Sequence, residues 1–195
     1  MGRRQALRGG PLMIVIGELL LVFCSLCYLV WWTITYKPPA RTSPGGALFL
    51  AGAMLGGLGG LLLLIIGIAA LLPKASSRAV GATIVGGVLV GALLFYVTSS
   101  VAHRRITTEL SLIVVWATVQ FAAGVTLRTA GSLRSPAAFA WIVATATATL
   151  VALTCYLIFY RLDPIPAYRI GMVPLAVDGV VAATLAAIVA LTRVP

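Results

Sequence analysis

The sequence predicts an all-α, polytopic membrane protein of six transmembrane helices, and three observations carry that reading. Of 195 residues, 61% are apolar or aromatic and only 9% are charged, against roughly 25% charged in soluble domains; mean hydropathy is +1.10. The apolar residues fall in six uninterrupted runs, each close to the roughly 20 residues a helix needs to cross a hydrocarbon core about 30 Å thick. The links between them are short and rich in Pro, Gly, Ser and charge, so none can fold as a soluble domain. Unbroken apolar runs lack the alternation of a barrel strand. Backbone groups in lipid must also pair within their own segment, so the spans are helices.

Residues 1–10 form a basic tail carrying Arg3, Arg4 and Arg8, and the first span covers 11–34. Arginines before an apolar run also describe a signal peptide. This run of about two dozen residues exceeds the roughly 7–15 of a signal core, and it ends in Trp31-Trp32 and Lys37 rather than a small-residue cleavage site. A link opening on Lys37-Pro38-Pro39 leads to span two, 47–72, where Gly52, Gly56 and Gly60 recur every fourth residue. After 73–78, span three, 79–97, carries Gly87 and Gly91 at the same spacing. Span four, 110–127, follows His103-Arg104-Arg105 and Glu109. Ser135-Pro136 opens span five, 137–160, and Asp163-Pro164-Ile165-Pro166 separates it from span six, 170–191. Residues 11–195 read as a single six-helix domain.

Sliding the second half on the first suggests two three-span repeats, 11–100 and 104–195. At a shift of 91, Glu109-Leu110 falls on Glu18-Leu19 and Arg128 on Lys37; at 92, Ser135-Pro136 falls on Ser43-Pro44 and Gly179-Val180 on Gly87-Val88. The small-residue ladders follow, Gly52, Gly56 and Gly60 meeting Ala144, Ala148 and Ala152. Halves with an odd number of spans sit in opposite orientation, an arrangement that builds a central site at the repeat interface. Helices in lipid associate through small residues that let backbones approach. The ladders therefore predict that spans two, three, five and six form the tightly packed part of the bundle, with self-association or entry into a larger complex compatible with such seams.

The 14 Lys and Arg against 4 Asp and Glu give a net charge of +10. Every basic residue sits at or beyond the end of an apolar run, so the expected partners are anionic lipid headgroups and not nucleic acid. Six spans put both termini on one side, with Arg3, Arg4, Arg8, Lys74, Arg78, Arg128, Arg134 and Arg193. Lys37, Arg41, Arg104, Arg105, Arg161 and Arg169 lie on the other, so the positive-inside rule places the termini in the cytoplasm. Trp31, Trp32, Tyr36, Tyr96, Tyr160 and Tyr168 fit an interfacial aromatic belt.

Function is read from ionisable groups placed in lipid, where an ionised side chain at a helix centre costs about 2.5–3.5 kcal/mol on insertion scales. Glu18 lies about two turns inside span one and Asp178 about two turns inside span six, four residues after the helix-breaking Pro174. Glu109 opens span four, near the positive end of the helix. It shares one face with Trp116 and Gln120, seven and eleven residues on. Asp163 is expected to pair with Arg161 or Arg169. Glu18, Glu109, Gln120 and Asp178 are therefore the candidate ligands of a cation, proton or small polar solute.

Other chemistry is poorly supplied. Cys24 and Cys27 share a helical face but sit mid-span with no cation nearby in sequence, which does not favour a redox pair. Single His103 cannot build a histidine metal centre, no metal or cofactor site is expected, and no catalytic motif stands out. The expected function is movement of a small solute or ion by a non-enzymatic membrane protein. The alternative is an accessory subunit or scaffold.

Overall fold

The structure, a computed structural model, describes residues 2–37, 45–101, 107–159 and 161–192, with the backbone alone at 2–8, 101 and 164. Six long helices occupy nearly all of it: α1 (Gly2–Tyr36), α2 (Gly46–Leu71), α3 (Ser77–Tyr96), α4 (Thr108–Thr129), α5 (Ser135–Phe159) and α6 (Pro164–Thr192). A π-helical turn, Val97–Val101, extends α3. No strand occurs among the described residues. All six helices are long and apolar enough to cross a membrane, so the chain is a multi-pass integral membrane protein in architecture. Ser43, Pro44, His103, Arg104, Arg105, Tyr160 and Arg193 lie outside the described residues, as do the side chains of Arg3, Arg4 and Arg8.

Helix boundaries differ from the sequence expectation at two places, each for a local reason. The basic tail is helical and continuous with α1, since Arg, Gln, Ala and Leu are all good helix formers. The expected proline link before span six is instead the first turn of α6, which starts at Pro164. N–H groups of a first turn have no helical acceptor, so Pro164 and Pro166 lose nothing there. The backbone oxygen of Asp163 accepts the first bond, from the Ala167 N–H at 2.9 Å. Elsewhere the links carry the expected chemistry. Ser76 and Thr107 cap α3 and α4 by accepting from Ala79 and Leu110. The α4–α5 link closes on Gly131 at φ 73°, with Ser132 N–H donating to Leu127 O at 2.9 Å and Gly131 N–H to Arg128 O at 3.0 Å, a Schellman end that only a residue tolerating the left-handed region makes cheaply.

Five helices pack in a closed ring, α1 on α2, α2 on α4, α4 on α5, α5 on α6 and α6 back on α1, while α3 lies outside the ring against α4. The tightest seam is antiparallel, between α1 and α2. A Cβ on Gly17 would lie 2.9 Å from the carbonyl oxygen of Gly60, and one on Gly60 would lie 2.9 Å from that of Gly17. Gly67 meets Gly10 O at 2.9 Å in the same way, and Gly52 and Gly56 seat Cys27 and Phe23. This corrects the expected packing. The predicted ladder of α2 is used, but its partner is α1, which supplies Gly10 and Gly17. Helix α3 is the least buried of the six, its Gly87 and Gly91 seating Thr118 and Val114 of α4. Ala148 and Ala152 of α5 are buried, whereas Ala183 of α6 is exposed.

Candidate functional site

The ring interior contains one fully buried acid. Glu18 is 0% exposed, as are Gln120 of α4 and Thr145 of α5. Glu18 stands next to Gly17, whose backbone is pressed on Gly60, so the seam with α2 sets the position of the carboxyl. Opposite, the Gln120 side chain donates from Nε2 to Glu18 Oε2 at 3.1 Å. That bond joins residues 102 apart in the chain and ties α1 to α4 across the ring.

Gln120 is itself held from α5. Trp141, the largest fully buried side chain, donates its indole N–H to the backbone oxygen of Gln120 at 2.8 Å. Gly124, one turn beyond Gln120, makes room for the ring, since a Cβ there would lie 2.6 Å from Trp141 Cδ1. Thr145 follows Trp141 by one turn on the same face of α5. Thr118, Thr126 and Thr149 donate to the carbonyl four residues back, but Thr145 Oγ1 has no hydrogen-bond partner, and neither do Glu18 Oε1 and Gln120 Oε1.

Buried polar atoms are nearly always paired, because an unmet donor or acceptor loses its hydration with no return. Three such unpaired oxygens stand one each on α1, α4 and α5, and two of their residues, Glu18 and Gln120, are joined directly. No Lys or Arg forms an ion pair with Glu18 among the described residues. Carboxylate, amide and hydroxyl oxygens are the donor set that suits a hard cation, and a carboxyl also holds a proton. No group of three His, Cys, Asp or Glu side chains comes together among the described residues.

The other predicted site residues are placed differently. Asp178 is partly buried on α6 with Oδ1 shielded and unpartnered. Its neighbour Gly179 packs against Ser25 of α1, which puts Asp178 about two turns along α1 from Glu18. Glu109 is exposed in the first turn of α4, so the structure does not bring it to Glu18, although Gln120 on the same helix does arrive there. Trp116 is partly buried. Asp163 is exposed and makes no ion pair among the described residues, contrary to expectation. Cys24 and Cys27 are free thiols that pack on Gly57 and Gly52 of α2. Trp32 is more than an interfacial anchor, since its indole donates to Tyr168 O at 3.0 Å and its ring lies over Gly171, pinning α6 to α1. Sequence reasoning missed Trp141 and Thr145, for which the available signal was their spacing of four on a span that also carries a small-residue ladder.

No known protein family, characterised protein or solved structure matches this chain.

Proposed function

We propose that this protein carries a small cation or a proton across the membrane through the interior of its helix ring, with Glu18 as the binding carboxyl and Gln120 and Thr145 as its polar neighbours. The observation that carries the reading is Glu18 itself: a fully buried acid with one hydrogen bond from the Gln120 amide, one unpaired oxygen and, among the described residues, no counter-ion. A charge so placed is expensive unless a proton or cation joins it. Asp178 serves as a second station on the way to one membrane face. The sequence matches support an origin in two inverted three-helix halves, as does the packing of α1 on α2 and α6, mirrored by α4 on α5 and α3. The larger number of Lys and Arg on the side of the termini supports a cytoplasmic location for both.

The test is flux into proteoliposomes under an imposed proton, Na⁺ or K⁺ gradient. Wild type is expected to dissipate one of these gradients and Glu18→Gln to lose that activity while keeping its fold. Equal flux in both proteins would overturn the assignment. A second reading, an accessory subunit, is favoured by α3, which among the described residues packs substantially only on α4 and leaves much of its apolar surface uncovered by this chain. A stoichiometric unrelated protein co-purifying from the native membrane would support that reading.

A further inference from the structure

The two ends of the bundle differ in charge in a way that the ring interior does not explain. In the sequence, the side of the termini and of the α2–α3 and α4–α5 links carries eight Lys and Arg and no acid, whereas the other carries six with both Glu109 and Asp163. At the first end Lys74, Arg78 and Arg128 are exposed and form no ion pair among the described residues. The helix ends that carry them pack into one buried cluster. Leu71, Val80 and Leu127 belong to one buried cluster, so the end of α2, the start of α3 and the end of α4 converge there. Beyond that point α2 and α3 part, for both pack on α4 while neither packs substantially on the other. That arrangement leaves exposed apolar residues of α2 and α3 on either side of α4, a notch with the three cations at the end where these helices meet.

We infer that this notch holds one anionic phospholipid, its acyl chains against α2 and α3 and its phosphate among Lys74, Arg78 and Arg128. No Asp or Glu falls at this end to neutralise these cations, and lipid phosphate at the membrane surface lies at the right depth. A basic pocket between membrane helices is the arrangement that selects headgroup charge, and each cation near an anionic surface is worth about fivefold in binding. The inference stands apart from the role of Glu18.

Native mass spectrometry of the full chain, titrated in mild detergent with phosphatidylglycerol or phosphatidylcholine, tests it. One phosphatidylglycerol per chain should be retained in strong preference to phosphatidylcholine. The triple variant Lys74→Gln, Arg78→Gln, Arg128→Gln should lose about 100-fold of that preference, and Arg134→Gln, at the same end but on α5, should change it less than twofold. If the triple variant fails to fold, wild type in 0.5 M salt serves instead, since screening should erase much of the preference for an exposed phosphate site. Equal retention of the two lipids, an Arg134→Gln effect equal to that of Arg78→Gln, or a lipid-free dimer showing that a second copy fills the notch would each overturn the assignment.

Discussion

Glu18 and Glu109 fall on one another when the two halves of the sequence are aligned, yet their surroundings are opposite. Glu18 comes well inside α1, after Pro11 and two turns of apolar residues, and is completely shielded. Glu109 is the second residue of α4, which begins only at Thr108, and it stays exposed. The same side chain thus finds a dehydrated seat, hydrogen-bonded by an amide, in one half and the positive end of a helix dipole in the other. A carboxylate near a helix N-terminus is stabilised wherever it serves no other purpose, whereas one buried without a counter-ion persists against a cost. The proposed function therefore rests on the first half's acid and the second half's amide, Gln120, which share a hydrogen bond.

The largest expected effect separates the two glutamates directly. Glu18→Gln should lower gradient-driven flux at least tenfold, and Glu109→Gln should change it less than twofold, in side-by-side proteoliposome assays. Equal losses would restore the equivalence of the two acids. Next comes the seat of α1. Gly60→Ala sets a Cβ against the Gly17 carbonyl and Leu21, and a backbone oxygen cannot rotate away. Overpacking of this kind costs about 1–3 kcal/mol, seen as a lower unfolding temperature in detergent, and the displaced α1 should carry Glu18 away from Gln120 and reduce flux as well. Gly86→Ala, which meets nothing within 4 Å, is the control and should leave both unchanged. A Gly60→Ala protein as stable as wild type would mean that the seam does not position Glu18.

Much of this architecture is legible in the sequence. Span number, the glycine ladder of α2 and the choice of Glu18 and Gln120 as candidates, which the structure buries and joins by a hydrogen bond, all follow from residue type and spacing, because lipid punishes charge and rewards small residues so strongly. Which helix meets which was not legible. In water the apolar face of a helix points to the core, but in lipid the outward face is apolar too, so Gly87 and Gly91 looked as central as Gly56 and Gly60 although α3 lies at the periphery. Gly10 and Gly17 lie seven apart, outside a spacing of four, so the ladder does not reveal the role of α1. Trp141 hid among apolar residues because nothing in sequence says that its N–H reaches a backbone oxygen on another helix. Thr145 resembles Thr149 in sequence, and only the structure shows that one is bonded to its own helix while the other is not.

That last contrast yields the smallest effect and the sharpest test of the interior site. Thr126 and Thr145 are both fully buried, but Thr126 donates to Ala122 O at 2.7 Å whereas Thr145 Oγ1 has no partner. Replacing each by Val removes the hydroxyl and keeps the shape. Loss of an intramolecular hydrogen bond costs about 0.5–1.5 kcal/mol, so Thr126→Val should be destabilised by about that amount. Removal of an unsatisfied buried hydroxyl relieves a desolvation penalty, so Thr145→Val should be as stable as wild type or more so. If Oγ1 is left unpaired because a transported ion or proton-bearing group uses it, the same Thr145→Val protein should need a several-fold higher ion concentration for half-maximal flux. Stability gained with transport intact would instead make the unpaired hydroxyl a packing defect and confine the site to Glu18 and Gln120.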